Sequence, residues 1–254
     1  GGSPVLIPLD VWLDGALTTT AGISVVGDNS YGILINNGVT GDVILRGGAS
    51  VRGANSSALV INGDIGGELV INGAWNSSGF RYTSRPSSTT GLDADDLLIG
   101  GPAVAIYGSV AGGIHIDGMG VEDDEDDDAD GVTESQSDAD DDASASIVSY
   151  GSAPALLVEA DGNNIVVGTT ATGFGIHVQG GISAVGVYDN VDAIAMRIQG
   201  VGGNTVTIAD GIAIDGVVQS TATNGNSTAL HIGANVITPE LLVRRQLTSA
   251  VVSD

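Results

Sequence analysis

The feature that most constrains the fold is a repeat of 26 residues near the start of the chain. Residues 23–48 align without a gap on residues 49–74, and nine positions are identical. Each unit contains three short apolar segments separated by Gly, Asn, Asp and Ser, the residues that favour turns. Because one such unit cannot bury its apolar face alone, the units are expected to stack and to share one continuous core.

Two of the three segments recur along the whole chain as a pair. The first segments begin at Ile33, Leu59, Val104, Leu156, Ile176, Met196 and Leu230. Their partners begin nine to eleven residues later, at Val43, Leu69, Ile114, Ile165, Val185, Val206 and Leu241. The pattern predicts an all-β fold, a right-handed parallel β-helix (β-solenoid) of about seven to eight coils, since parallel crossover connections are right-handed as a rule. We expect a single domain over residues 1–254, as a fragment of a larger protein.

The alternation within each first segment predicts which residues face outward. The flanking apolar residues should point into the core and the central residue should point out. The predicted outward ladder is Leu34, Val60, Ala105, Leu157, His177, Arg197 and His231. Its first half is apolar, which indicates that an inserted loop, a neighbouring domain or another molecule covers it. Alternatively, these are scattered aliphatic residues of the kind that most surfaces expose.

Two insertions, at residues 75–101 and 117–144, interrupt the repeat. Each follows the second segment of a pair, so both are expected to leave the solenoid from one corner and to be neighbours in space. Long insertions on one side of a solenoid often form its binding face, and we assign this role to Arg81, Tyr82 and Arg85 of the first insertion. The alternative is that they have no role, because lengthening a surface loop costs little free energy.

The second insertion contains a tract in which 13 of the 21 residues from Glu122 to Asp142 are acidic. Within it, residues 126–131 fit the pattern D-x-D-x-D-G, which places carboxylates at the alternating positions that a Ca²⁺ loop uses. The predicted calcium ligands are Asp126, Asp128, Asp130, Val132 (through its carbonyl), Glu134 and Asp138. The loop is not an EF-hand, because Ser137 occupies the position where an EF-hand needs Glu. Diffuse cation binding and a solvated tract without a role are the alternatives. The arginines of the first insertion are candidates to pair with this tract, or with Asp93, Asp95 and Asp96.

Composition excludes several classes of partner and site. A net charge of −24 repels nucleic acid and anionic lipid. No apolar run approaches the ~18 residues of a membrane-spanning helix, so direct membrane insertion of this segment is not expected. The absence of Cys removes disulfides and Cys-ligated metals. Because strand positions carry few carboxylates, we predict no enzyme. The alternative is a polysaccharide-active β-helix that uses Arg197 between His177 and His231.

Several ordered segments resemble autotransporter-type passenger sequences of sphingomonad-like α-proteobacteria. They are the repeated N-S-Y-G-I-L-I and A-L-x-I-x-G units, G-F-R-Y-T-S-R-P at 79–86, L-D-A-D-D-L-L at 92–98, S-Y-G-S-A-P-A-L at 149–156 and V-G-V-Y-D at 185–189. The resemblance covers nearly the whole chain and implies a β-helical segment that is exported across the outer membrane and displayed on the cell surface or secreted. It implies no catalytic residue.

The function expected from the resemblance is that of a non-catalytic adhesin or structural scaffold. Its partner would be a glycan or protein on a surface, or a second copy of the chain, and Ca²⁺ would modulate binding through the acidic insertion. A self-assembling surface layer or filament subunit is a further alternative to adhesion.

Overall fold

The chain folds into stacked parallel coils. The computed structural model describes residues 5–6, 12–79, 82–88, 90–118 and 144–252. Each of its three main sheets contains seven strands, and every strand pair is parallel, so successive coils place one strand in each sheet. The predicted all-β parallel solenoid of about seven to eight coils is therefore confirmed, with seven coils.

Strands of successive coils lie side by side in each sheet. Sheet 1 contains, in spatial order, β1 (Val5–Leu6), β4 (Tyr31–Ile35), β7 (Ser57–Ile61), β10 (Val104–Ile106), β13 (Leu156–Ala160), β17 (Ala193–Gly200) and β21 (Ser227–Ile232). Sheet 2 contains β2 (Leu17–Thr19), β5 (Val43–Leu45), β8 (Leu69–Ile71), β11 (Ile114–Ile116), β15 (Ile176–Val178), β19 (Ile212–Ile214) and β23 (Leu241–Val243). Sheet 3 contains β3 (Ile23–Val26), β6 (Gly48–Arg52), β9 (Ala74–Ser78), β12 (Ser146–Tyr150), β16 (Gly181–Asp189), β20 (Val217–Thr223) and β24 (Gln246–Val252). A short sheet 4 contains β14 (Ile165–Val167), β18 (Val206–Ile208) and β22 (Val236–Ile237).

The core is a set of ladders of inward-facing aliphatic side chains. In sheet 1, for example, the residues paired in register are Ile33, Leu59, Val104, Leu156 and Met196. All five are at most 2% exposed, because each is covered by the equivalent residue of the coils on both sides. This mutual covering is the reason that no single coil could be stable alone.

Acidic and amide side chains at the corners join neighbouring coils. The side-chain oxygens of Asp28, Asp42, Asp64, Asn164 and Asp192 each accept a hydrogen bond, 2.7–2.9 Å long, from a backbone N–H of the next coil. At the corners, backbone N–H groups lie outside the regular hydrogen-bond pattern of the sheets. These side chains supply the acceptors that those N–H groups need. Part of the chain's high acidic content is thereby explained as structural.

Coils five and six differ from the predicted pairing of segments. The segments at Ile165 and Val206 lie in the additional sheet 4, whereas Ile176–Val178 lies in sheet 2 and pairs with Ile114–Ile116. The prediction that His177 belongs to the outward ladder of sheet 1 is therefore wrong. The cause is the extra strand: it resembles a sheet 2 strand in sequence, so a ten-residue spacing cannot distinguish the two.

The boundaries of the first insertion also differ from the prediction. Residues 74–78 form strand β9, in which Trp75 is fully buried and pairs with Ala49 on one side and Ile147 on the other. The regular coil resumes where Asn55 N donates to Ile99 O, so the insertion occupies residues 79–98 rather than 75–101. The sequence A-W-N-S-S is mostly polar and is typical of a turn, so sequence reasoning did not predict this strand.

The two insertions leave the solenoid from different corners, which corrects the predicted common corner. The first leaves after β9, at the corner between sheets 3 and 1. The second leaves after β11, between sheets 2 and 3, and its ends meet where Ala145 N donates to Asp117 O at 3.0 Å. Within the described ranges, a short 3₁₀ helix (Ala94–Leu97) lies in the first insertion, and none of the helices there is long and apolar enough to cross a membrane.

Candidate functional site

The structure describes two of the three predicted binding residues of the first insertion, Tyr82 and Arg85. Arg81 lies outside the described residues. Tyr82 is 37% exposed. The Arg85 guanidinium pairs with the Asp189 carboxylate at 3.0 Å, where β16 ends two coils further along. Sequence reasoning did not anticipate this ion pair, which ties the insertion to the solenoid wall.

Apolar contacts fix the same insertion against the wall. Leu92 packs against a cluster formed by the buried Val187 and Tyr188 together with Tyr150. Tyr150 and Tyr188 belong to neighbouring strands of sheet 3, β12 and β16. The first insertion therefore runs along the rod rather than projecting from it, which limits its value as a freely presented binding loop.

The predicted calcium ligands, Asp126, Asp128, Asp130, Val132, Glu134 and Asp138, all lie outside the described residues. In the part of the chain that the structure describes, no group of three or more His, Asp or Glu side chains is arranged to hold a metal ion.

A groove of about 400 Å³ crosses sheet 1, and we call it the tyrosine groove. It is lined by Tyr31, Leu34, Asn36, Asn55, Ser57, Val60, Asn62, Gly101, Pro102, Ala105 and Tyr107. These residues come from three successive coils, so the groove runs about 10 Å along the rod at a coil spacing of about 4.8 Å. Every residue that lines it is uncharged.

The floor of the tyrosine groove is the apolar part of the sheet 1 ladder. Val60, Ala105 and Leu157 point outward, yet they are only 7%, 1% and 6% exposed, and they pack with Leu34 and the rings of Tyr31 and Tyr107. The outward apolar ladder is thus covered, although the expected cover was an inserted loop, a neighbouring domain or another molecule. The cover consists of tyrosines of the same face.

Polar groups line one edge of the tyrosine groove. Asn62 Nδ2 donates to Asn36 Oδ1 at 2.8 Å, which orients both amides across neighbouring coils. The amide hydrogens of Asn36 and the amide oxygen of Asn62 are not used in that bond. At the next equivalent position lies Tyr107, and burial, followed by the nearby Glu159 and Asp161 carboxylates, raises the pKa of its hydroxyl. This hydroxyl therefore remains a hydrogen-bond donor at neutral pH.

A second site lies on the outer face of sheet 2, and we call it the histidine cluster: His115, His177, Glu68, Asp117, Asp215 and Arg244, with Thr172, Phe174 and Gln179. His115 and His177 pair in register on β11 and β15. Their rings are stacked, with centroids 5.5 Å apart and planes 12° apart. The repeated tripeptides Ile114-His115-Ile116 and Ile176-His177-Val178 were the sequence signal for this pair, and the spacing argument overlooked it.

His177 is held on every side. It is only 3% exposed, and the Phe174 ring lies 5.4 Å from its ring on a loop that covers the sheet. Its Nε2 lies 2.8 Å from Asp215 Oδ2, and its Nδ1 lies 2.7 Å from Thr172 Oγ1. Both ring nitrogens of this buried imidazole therefore have partners, which fixes its orientation.

His115 lies at the acidic end of the histidine cluster. Its Nε2 is 2.8 Å from Gln179 Oε1 and 3.7 Å from an Asp117 oxygen, and its Nδ1 is 3.7 Å from Glu68 Oε1. Glu68 Oε2 accepts a hydrogen bond from Ala171 N at 3.3 Å, which connects this carboxylate to the covering loop.

Arg244 completes the cluster from the last coil. Its Nε and one terminal nitrogen donate to the two Asp215 oxygens at 2.5 and 2.6 Å, and its guanidinium lies 5.5 Å from the centre of the Phe174 ring. The Arg244 hydrogen bonds, opposed by partial burial and assisted by His177, hold the pKa of the Asp215 carboxyl below its ordinary value. Asp215 is therefore ionised at neutral pH.

The predicted His–Arg–His ladder is reduced to one pair on sheet 1. Arg197 and His231 lie in register on β17 and β21, and Arg197 Nε donates to His231 Nδ1 at 3.2 Å. The residue of β13 that pairs with Arg197 is Leu157, not a histidine.

Searches of protein-family models, curated proteins and solved structures each found no match to this chain. A function must therefore be inferred from the geometry of the tyrosine groove and the histidine cluster.

Proposed function

We propose that this chain is the binding segment of a bacterial protein that is displayed on the cell surface or secreted, and that its tyrosine groove holds an extended, uncharged glycan. The observation that carries the proposal is the groove itself. It combines two tyrosine rings, an apolar floor and an oriented pair of amides on three coils of a rigid sheet.

The groove matches the surface of a sugar chain. A pyranose ring has an apolar C–H face and a rim of hydroxyl groups, and aromatic side chains provide apolar area together with a polar hydroxyl. Amide side chains offer a donor and an acceptor to neighbouring hydroxyls at the same time. A mostly apolar groove with a few oriented polar groups is the usual form of a small-ligand site.

Charge favours a neutral ligand. The groove contains no charged lining residue, Glu159 and Asp161 lie near Tyr107, and the net charge of the chain is −24. Acidic polysaccharides and nucleic acids would therefore be repelled at low ionic strength, whereas a neutral glycan would not.

Adhesion at the cell surface follows from placing such a groove on a rod. Display outside the cell and the autotransporter-type passenger remain parts of the proposal that rest on sequence resemblance. Modulation by Ca²⁺ through residues 117–144 is likewise a proposal, supported by the D-x-D-x-D-G pattern alone.

The test is calorimetric titration with neutral oligosaccharides, after a glycan screen has selected the tightest. Tyr107→Ala should weaken binding by about 2- to 12-fold, because one aromatic contact is worth about 0.5–1.5 kcal/mol. Tyr82→Ala is the matched control, since Tyr82 lies on the first insertion and not in the groove.

If Tyr82→Ala lowers the affinity and Tyr107→Ala does not, the binding face is the insertion and the groove assignment is wrong. A screen in which no neutral glycan binds the folded chain would refute the proposed ligand class.

A further inference from the structure

An exposed hydroxyl lies next to the buried imidazole of the histidine cluster. Thr172 belongs to the loop at residues 168–175 that covers sheet 2, and its side chain is exposed to solvent. Its Oγ1 is 2.7 Å from His177 Nδ1. The glycan-binding proposal does not use this contact.

The imidazole is positioned as a base would need to be. Its ring is stacked on His115 on one side and contacts Phe174 on another, so it cannot rotate away from Thr172 without disrupting both contacts. On the opposite edge, Asp215 lies 2.8 Å from Nε2, and Arg244 holds both oxygens of that carboxylate. A base that is oriented by a third group is the arrangement that activates a nucleophile.

The hydrogen-bond pattern assigns the protons. An ionised carboxylate can only accept, so Nε2 of His177 carries the hydrogen that faces Asp215. In the neutral imidazole Nδ1 then has a lone pair, and the Thr172 hydroxyl must donate to it. Thr170 Oγ1 lies 2.8 Å from Thr172 Oγ1, but its own hydrogen is donated to Phe174 O at 2.7 Å, so Thr170 is a second acceptor beside the Thr172 hydroxyl.

We propose that Thr172, His177 and Asp215 form a nucleophile–base–carboxylate triad that transfers an acyl group from an ester to the Thr172 hydroxyl. In this step the Thr172 Oγ1 attacks the ester carbonyl while its proton moves to His177 Nδ1. The new Oγ1–C bond forms, the bond to the leaving alcohol breaks, and His177 returns the proton to the leaving oxygen. Water then hydrolyses the threonyl ester by the same route, releasing a carboxylic acid.

A donor for the developing oxyanion is also at hand. Among the described residues, the backbone N–H of Thr172 has no hydrogen-bond acceptor, while the following N–H, of Gly173, donates to Thr170 O at 2.9 Å. The N–H of the nucleophile itself is a common member of an oxyanion hole. The triad is therefore a reactive site that sequence reasoning, which predicted no enzyme, did not find.

The experiment exposes the purified chain to p-nitrophenyl acetate, and follows nitrophenolate release and the acetylated residue by tandem mass spectrometry. The chain contains no lysine, so background acetylation is limited to the N-terminus, the three histidines and the five tyrosines. We expect a single acetyl group on Thr172.

Three variants separate the triad from a structural role. Thr172→Val should abolish acetylation at this position, and Thr172→Ser should retain it, because the smaller primary hydroxyl keeps the same bond to His177. Asp215→Asn should lower the rate by on the order of 100-fold or more while Thr172 is still present.

Thr221→Val is the matched control, since Thr221 is exposed on β20 in sheet 3, which carries none of the three histidines. Circular dichroism confirms that each variant is folded. Wild-type chain that neither acquires an acetyl group on Thr172 nor releases nitrophenolate faster than Thr172→Val would overturn the proposal, and so would an Asp215→Asn rate equal to that of the wild type. Neither result bears on glycan binding in the groove, so the two proposals fail independently.

Discussion

Replacing Trp75 with alanine should be among the most damaging single changes in this protein. The side chain is fully buried in β9, between Ala49 and Ile147 of the adjacent coils, and its Nε1 donates to Asn72 O at 2.7 Å. A buried tryptophan removes about 200 Å² from water, which at about 25 cal/mol per Å² gives about 5 kcal/mol as an upper bound. Measured losses for such truncations are about 3–5 kcal/mol. We expect a loss of about 4 kcal/mol in the free energy of unfolding.

The assay is urea denaturation followed by circular dichroism, with Trp12→Ala as the matched control. Trp12 is 56% exposed, so its truncation should cost at most about 1 kcal/mol. Trp75→Phe should fall between the two, because it retains most of the apolar volume but loses the hydrogen bond to Asn72, worth about 1 kcal/mol. If Trp75→Ala and Trp12→Ala cost the same, then residues 75–78 are part of a surface insertion, as the sequence predicted, and the strand assignment is wrong.

Two further predictions concern charge. Arg244→Gln should raise the pKa of Asp215 towards its ordinary value. In the wild type the lowered pKa stabilises the fold above about pH 4, and this stabilisation is lost as the pH falls through the folded-state pKa. The melting temperature of the variant should therefore lie below that of the wild type at pH 7 and approach it near pH 3. An equal difference in melting temperature at both pH values would contradict this linkage between Arg244 and Asp215. For the acidic insertion, calorimetric titration should show saturable Ca²⁺ binding that is lost when Asp126, Asp128 and Asp130 are changed to Asn. Binding that is not saturable below millimolar Ca²⁺ would exclude a specific calcium loop.

The architecture could be predicted from sequence because a solenoid is governed by local periodicity. Inward positions such as Ile33 and Leu59 must be apolar in every coil, and corners need Gly, Asn or Asp, so the repeat is written directly into the chain. The prediction of a second insertion at residues 117–144 falls mostly on residues outside those that the structure describes. The alternation within each segment also predicted the apolar outward ladder through Val60 and Ala105, but the expected cover was an inserted loop, a neighbouring domain or another molecule.

Register in coils five and six, and with it the histidine cluster, could be decided only by the tertiary structure. The sequence shows His115 and His177 in similar tripeptides 62 residues apart, but only the stacking of β11 on β15 brings their rings to 5.5 Å. Spacing along the chain cannot reveal this, because one extra strand per coil shifts all later segments without changing their local pattern.

Composition and periodicity by themselves thus determined that the chain is a β-solenoid and that its net charge is strongly negative. Which outward side chains meet was decided by the folded coils, since Thr172, His177, Asp215 and Arg244 come from different coils or loops and carry no common motif. Inward residues repeat because every coil must bury the same face. Outward residues are free of that constraint. Which of them become neighbours depends on the register between coils, and this register is set by the number of residues in each coil.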